Sequence, residues 1–381
     1  MKKIQYPIIL DKIFEKLNNY NIKPIIIGGY VRDKLLGIAS KDIDIELYNL
    51  DDINILEKIL TEFGTVNEVG KSFSVLKLCI DGLDLDFSLP RTDSKIAKGH
   101  RGFKVTANSN LDFKTATSRR DFTINAIGYD VIEQKILDPF DGLNDLKNKK
   151  LKAVDLEKFS EDPLRVLRAI QFASRFELEI DQQLLLKCQE IVRNNQVAYL
   201  SKERIYMEIE KLLLKSMTPS SGFILLQKMG LFEVFEELNQ LTQEEYFELA
   251  HLLDNFKTFQ NNLTNKLCVI TLFTLLTSKF NQDDTISFLN RLSDDKELIH
   301  KVTNIHSFLN SPSYTLAMRI DKKVLAAYLK AMNVKNYMEI VDSIEPKING
   351  KELIAQGLKP SKKFGEILEQ KYQKQIKDIL M

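Results

Sequence analysis

The chain has 381 residues, with 54 Lys and Arg against 53 Asp and Glu, 44% apolar residues and three cysteines. That length exceeds what one hydrophobic core fills and suits two to four compact units, and 22 Phe and 12 Tyr argue against intrinsic disorder. Near-zero net charge argues against a uniformly basic polyanion binder; Cys79, Cys188 and Cys268, far apart and without a CxxC pair, argue against a disulfide framework or a cysteine zinc site.

The opening Met-Lys-Lys-Ile-Gln-Tyr-Pro lacks a charged-then-apolar leader, and apolar runs such as Cys268–Leu276 fall short of a membrane span. A soluble, cytoplasmic protein is expected. Ile8–Asn19 reads as an amphipathic helix. Pro24-Ile-Ile-Ile-Gly-Gly reads as a buried strand ending in a glycine turn, followed by a short helix at Val31–Leu36, a strand at Ile43–Leu47 and a helix at Ile53–Phe63. Ser72–Ile80 and Leu83–Leu89 read as strands around an Asp81-Gly82 hairpin turn. Phe103–Ala107 and Ile124–Val131 are further strands, with Pro139 and Gly142 marking the exit. From Asp145 the period becomes helical, through Pro163–Phe176, Gln182–Asn194, Lys202–Leu214 and Ser221–Leu231, with breaks at 218–221 and 310–313. The expected fold is an α/β module of about 145 residues, then an all-helical remainder.

The strongest local signal is Gly28-Gly29-Tyr30-Val31-Arg32-Asp33 followed by Asp42-Ile43-Asp44. Residues i and i+2 of a strand share a face, so Asp42 and Asp44 present adjacent carboxylates that suit a hard divalent cation, Mg²⁺ above all. Asp84 and Asp86 share a face in the same way, and one of them, Asp86 by preference, is the expected third carboxylate. Gly28 and Gly29, between strand and helix, let backbone N–H groups approach phosphate oxygens. Such wiring suits two-metal phosphoryl chemistry on a triphosphate.

Two further clusters fit the same site. Arg119 and Arg120, followed by Asn125, place paired cations and an amide before an apolar run. In Ser160–Arg168, Ser160 or Asp162 caps a helix with Pro163 in its first turn, and Asp162, Arg165 and Arg168 recur at i, i+3 and i+6 on one face. Residues 91–120 carry eight Lys or Arg against two Asp, and residues 346–381 carry eight Lys against four acids; two separate basic zones suit a long polyanion touching twice.

Taken in order, Gly28–Asp33, Asp42–Asp44, Arg119–Ala126, Asp138-Pro-Phe-Asp-Gly-Leu, Glu161–Arg168 and Glu203–Glu208 resemble the bacterial-type (class II) tRNA nucleotidyltransferase and poly(A) polymerase family, over residues 25–215. Ile348–Ile354 and Pro360–Leu368 resemble the closing segment of its CCA-adding members. The resemblance implies an α+β multidomain protein. A nucleotidyltransferase head with a mixed or antiparallel sheet (1–147) precedes an all-helical base-recognising neck (148–215), body (216–305) and tRNA-binding tail (306–381). It implies template-independent addition of C, C and A to the tRNA 3′ end from CTP and ATP, with Mg²⁺ and pyrophosphate release, and no required protein partner. By position, Asp42 and Asp44 hold Mg²⁺, and Gly28, Gly29, Arg32 and Asn125 line the nucleotide. Arg119 or Arg120 reaches triphosphate or sugar, and Asp162, Arg165 and Arg168 read the base, with Gln171 where some relatives have a further Arg. The polar stretch 90–102 resembles the loop that complete CCA-adding enzymes use to switch from C to A. A poly(A) polymerase, an enzyme restricted to CC or A addition, and a non-catalytic RNA-binding protein are the alternatives. None of His100, His251, His300 and His306 adjoins an Asp, so an added His-Asp phosphohydrolase domain is not expected.

The base readout has an independent physical logic. Cytosine and adenine both carry an exocyclic amine beside an acceptor ring nitrogen; uracil and guanine carry a carbonyl beside a ring N–H. A carboxylate such as Asp162 accepts from the amine and a guanidinium such as Arg165 donates to the ring nitrogen, each match discriminating by about 1–3 kcal/mol.

Overall fold

The computed structural model describes residues 3–50, 52–69, 75–95, 103–359, 361 and 363–377. The chain divides into two compact units: Met1–Ala169 with Glu177–Tyr199, and Ile170–Phe176 with Leu200–Met381. The first is a mixed-sheet module and the second is helical, giving an α+β protein.

In the first unit, α1 (Ile9–Asn19) leads into β1 (Lys23–Ile27), whose three consecutive isoleucines suit a strand buried on both faces. Then follow α2 (Gly29–Leu35), β2 (Asp42–Tyr48), α3 (Ile53–Thr61), β3 (Val66–Val69), β4 (Val75–Ile80) and β5 (Leu83–Ser88). A small hairpin of β6 (Arg91–Lys95) and β7 (Phe103–Ala107) stands apart as its own sheet, and α4 (Phe113–Thr117) returns the chain to β8 (Gly128–Asp130) and β9 (Lys135–Leu137). The main sheet has seven strands in the order β3-β4-β5-β2-β1-β8-β9, with β2 and β5 parallel and every other pair antiparallel.

Strand alternation gives this sheet two unlike faces. Ile26, Ile43, Ile45, Leu47, Leu76, Leu78, Leu85 and Phe87 are buried on one of them. The apolar stripes of α1 (Leu10, Ile13, Phe14, Leu17) and α3 (Leu56, Ile59, Leu60) pack there, α1 against β1 and α3 against β3. The opposite face carries the acidic positions. Its far end is closed by a smaller cluster in which Ala116, Leu111 and Phe113 pack on Ile25, Ile27 and Tyr48. Its near end stays open.

Several expectations change here. The run Ile124–Val131 is not one strand: Thr123–Asn125 makes a 3₁₀ turn and only Gly128–Asp130 pairs. Phe122, Ile124, Ala126 and Ile127 are all buried, so the apolar run reflects a packed turn instead of a pleated ladder. The turn is held by Thr123 Oγ1 donating to Asp145 (2.7 Å) and by α5 (Gly142–Lys147), whose Gly142 comes so close that a Cβ would lie 2.3 Å from the Thr123 carbonyl oxygen. Short α2 starts at Gly29, two residues before its expected start, which brings its first turn against β1. Of the expected loop 90–102, residues 91–95 form strand β6, and residues 96–102 lie outside the described residues, as do 72–74 of the expected strand 72–80.

The segment beyond 148 is not purely helical either. β10 (Lys150–Leu151) pairs in parallel with β11 (Glu179–Ile180), a ladder too short to show a period. Between them lie α6 (Leu156–Ser160) and α7 (Leu164–Phe176), and α8 (Gln182–Arg193) follows. The boundary between the two units falls inside α7.

The second unit contains α9 (Lys202–Lys215), α10 (Pro219–Lys228), α11 (Glu236–Asn239), α12 (Gln243–Lys257), α13 (Asn265–Leu276), α14 (Gln282–Leu292), α15 (Lys296–Asn310), α16 (Tyr314–Ala317), α17 (Lys322–Ala331), α18 (Tyr337–Ser343), α19 (Gly350–Ala355) and α20 (Lys363–Ile376). Residues Cys268–Leu276 of α13 are all buried, among α9, α12, α15 and α17. The buried Lys257 amine donates to the Leu213 and Leu214 carbonyls at the end of α9, and burial draws its pKa down to about 8. Among the described residues no helix is long and apolar enough to cross a membrane.

Candidate active site

The open end of the acidic face is a cleft of 210 Å³ lined by Asp42 and Asp44 of β2, Lys77 and Cys79 of β4, and Asp84 and Asp86 of β5. Register explains the gathering. In the parallel β2–β5 pair Asp42 faces Asp84 and Asp44 faces Asp86, and in the β4–β5 hairpin Lys77 faces Asp86 and Cys79 faces Asp84. Asp42 and Asp44 are exposed, and neither carboxylate makes an ion pair or hydrogen bond among the described residues. Partial desolvation by the cleft walls pushes the Asp44 pKa up; the Arg120 guanidinium opposes this, and the carboxylates of Asp86, Glu46 and Asp42 reinforce it. Two hard oxygen donors in a field short of positive charge suit a divalent cation.

The remaining acids are engaged. Asp86, the one level with Asp44, is paired with Lys77 at 2.9 Å, and Asp84 accepts from the Cys79 thiol at 3.1 Å. Among the described residues no group of three His, Cys, Asp or Glu converges as a metal cluster. Magnesium seldom needs one, since it is commonly held by one or two carboxylates with substrate phosphates and water completing its shell.

The glycine turn lies beside this cleft. Gly28 has φ 66° and ψ −121°, a conformation open to glycine, and its N–H donates to the Ile127 carbonyl at 2.9 Å. A Cβ there would sit 2.5 Å from Arg120 Nη1, so the missing side chain also makes room for the arginine. Gly28→Ala is therefore expected to cost about 1–3 kcal/mol in backbone strain and to push Arg120 off the turn. Melting temperature checks this: a lower melting point is expected.

The two adjacent arginines, indistinguishable by spacing, have different surroundings. Arg119 Nη2 is 3.2 Å from Glu46, a fully buried carboxylate on the same β2 face that also accepts from Tyr48 at 3.0 Å. The Arg120 guanidinium donates no hydrogen bond among the described residues and lies over Gly28, within the field of Asp44. Arg32 and Asn125, expected at the nucleotide, are buried beside the turn. The Arg32 guanidinium donates to Asp33 and Asn125, and the Asn125 amide donates to Asp121 (2.9 Å), so both hold the turn from beneath.

The expected base-reading face is also partly engaged. Asp162, not Ser160, caps α7, accepting from Leu164 N at 3.1 Å. Arg165 donates to the carbonyls of Lys158 (2.9 Å) and Arg119 (2.8 Å), which fixes the plane of its guanidinium and leaves its other N–H donors. Arg168 donates through Nε and Nη2 to Asp121. Gln171 is buried, its amide nitrogen without a partner among the described residues. Lys77, Glu46 and Asp121 were missed as site residues. The first was legible: a two-residue turn at 81–82 sets Lys77 opposite Asp86 by counting.

The family described as "Poly A polymerase head domain" matches residues 25–152, and that described as "Probable RNA and SrmB- binding site of polymerase A" matches residues 177–242. The CCA-adding enzyme of Lactococcus lactis subsp. lactis (strain IL1403) is 30% identical over 394 aligned positions, covering 97% of this chain and 92% of that protein. Among solved structures, a CCA-adding enzyme in apo form II has a TM-score of 0.73 at 23% identity, covering 98% of this chain and 93% of that one. The Thermotoga maritima CCA-adding enzyme complexed with tRNA has a TM-score of 0.68 at 23% identity, covering 98% and 92%. These likenesses show the same fold.

Proposed function

We propose, from the premise that this chain belongs to the CCA-adding enzyme family of class II tRNA nucleotidyltransferases, that it adds C, C and A to the 3′ end of tRNA without a nucleic-acid template. The observation that carries this reading is the pair of unengaged carboxylates, Asp42 and Asp44, beside a glycine turn overlain by the uncommitted Arg120. In it, residues 1–147 are the head, 148–215 the neck, 216–305 the body and 306–381 the tail, working in the cytoplasm.

Asp42 and Asp44 would hold Mg²⁺, which when bound lowers the pKa of an attacking hydroxyl and neutralises triphosphate charge. The backbone N–H of Gly29, in the turn that Gly28 permits, and the Arg120 guanidinium meet the triphosphate, whose α-phosphorus the tRNA terminal hydroxyl attacks in line with departing pyrophosphate. Arg119 stays with Glu46 and keeps the β2 face in register with the turn. Asp162 accepts from the exocyclic amine shared by C and A, and Arg165, its plane preset by two carbonyls, donates to the ring nitrogen. In the second unit, Lys347, Lys371 and Lys374 around a groove of 430 Å³ suit backbone phosphates of the tRNA.

Incubation with tRNA lacking one, two or three terminal nucleotides, and labelled CTP or ATP, tests the reading. Addition that stops at CCA supports it; a long A tail on any RNA points to a poly(A) polymerase, and binding without incorporation points to a non-catalytic protein. Arg165→Lys is expected to narrow the preference for CTP over UTP by roughly 5–150-fold, the equivalent of about 1–3 kcal/mol for one lost bidentate-type match. The ratio of kcat/KM values for the two nucleotides measures it; an unchanged ratio at full rate removes Arg165 from the readout.

A further inference from the structure

Five charged side chains line one cleft on the sheet face: Asp42, Asp44, Asp84, Asp86 and Lys77. The lysine is the only cation among them. Its place follows from the hairpin, because the turn at Asp81-Gly82 sets Lys77 directly across from Asp86, and β5 in turn sets Asp86 level with Asp44. Asp86 thus has a choice of neighbours, an ammonium on β4 or a carboxylate on β2. It takes the ammonium at 2.9 Å, while Asp42 and Asp44 keep no partner among the described residues. As a surface ion pair this contact would contribute little stability, with both side chains partly exposed (44% and 31%). Its consequence is positional: it draws one Asp86 oxygen along the sheet, away from the pair on β2. The Lys77 pKa is raised chiefly by the hydrogen bond to Asp86, with the charges of Asp44 and Asp84 adding to it, so the ammonium stays charged in the field of the whole cleft.

We infer that Lys77 is a positioning residue that keeps Asp86 off the cation site, leaving two open carboxylates that bind a divalent ion weakly until nucleotide phosphates complete its shell. The inference rests on the metal-binding reading of Asp42 and Asp44. It makes metal binding conditional on nucleotide, since two carboxylates alone offer a small cation few ligands, whereas a third would favour the metal by itself.

Titration of the full-length, nucleotide-free protein with Mn²⁺, followed by electron paramagnetic resonance of the free ion, tests it. Lys77→Met should tighten Mn²⁺ binding about tenfold, the gain from one added carboxylate ligand. Lys77→Arg should leave it at the wild-type value. Adding Asp86→Asn to Lys77→Met should abolish the gain, whereas adding Asp84→Asn, which changes net charge equally, should preserve it. Equal loss in both double variants would mean a general field effect and overturn the positioning role. Unchanged or weaker Mn²⁺ binding by Lys77→Met would also overturn it, and Lys77→Gln repeats the measurement should the methionine variant not fold. Absence of Mn²⁺ binding by the wild type even with CTP present would instead defeat the metal reading itself.

Discussion

Replacing Asp42 and Asp44 together by alanine is expected to reduce incorporation of both CMP and AMP by about 10³-fold or more, with tRNA affinity within about twofold of wild type. The magnitude follows from removing several kcal/mol of charge stabilisation at a phosphoryl centre, where each 1.4 kcal/mol is about tenfold in rate. Both nucleotides should suffer equally because, in the proposed function, the two carboxylates would face the reacting phosphate and not the base. Folding should not suffer. Neither side chain has a hydrogen bond or ion pair to lose among the described residues, and partial desolvation by the cleft walls together with neighbouring acids already raises the Asp44 pKa above its ordinary 3.8. An acid whose folded pKa is raised weakens the fold once it ionises, so the double variant should melt at or above the wild-type temperature at pH 7. Single-turnover incorporation, filter binding of tRNA and a thermal melt together check this. Retained turnover would remove the metal role, and a large drop in melting temperature would turn the pair into structural residues.

The second large effect is expected at Asp121, which no reading of spacing marks as central. Its Oδ1 accepts from Asn125 Nδ2 and Phe122 N, both at 2.9 Å, and its Oδ2 accepts from Arg168. Asn125 in turn accepts from Arg32, so one buried carboxylate joins the helix after the glycine turn to the first half of α7. Asp121→Ala leaves a guanidinium and an amide without their acceptor. A cost of about 3 kcal/mol is expected, the lower end for breaking a buried pair, because the Arg168 side chain keeps 30% of its exposure. For a unit of this size that is a fall of roughly 6–12 °C in its melting transition. Burial works against ionisation of Asp121, but Arg168 and the Asn125 hydrogen bond outweigh it and hold its pKa below 3.8. The stabilisation is therefore complete above about pH 4 and fades as pH falls through the lower folded value. The gap between wild type and Asp121→Asn should be constant from pH 5 to 8 and close in stronger acid. A gap that persists unchanged at low pH would contradict the ion-pair account. Nucleotide KM should rise in the same variants, since Arg32 and Asn125 then no longer hold the turn.

The strand–turn–helix–strand order at the front of the chain, the acidic face of the second strand and the change to helical period after residue 145 were all legible in the sequence, because each depends on neighbours a few positions away. Alternation with period two puts Asp42 and Asp44 side by side wherever the strand lies, and a two-residue turn sets its own register. The run Ile124–Val131 misled for the opposite reason. Its burial comes from α5 and the sheet closing around a 3₁₀ turn, contacts made by residues far along the chain.

By itself, then, the order of residues determined which chemical groups the proposed site would draw on: adjacent carboxylates, a glycine turn, two arginines, and an acid and base spaced along a helix. Only the tertiary structure decided which of them remain uncommitted. Arg119 and Arg120 are neighbours with the same side chain, yet one meets Glu46 and the other lies over Gly28. Asp44 and Asp86 are level on adjoining strands, yet only Asp86 has Lys77 within reach. The physical reason is that backbone periodicity is a local property, while the partner of a charged side chain is whichever opposite charge the folded chain brings within about 4 Å.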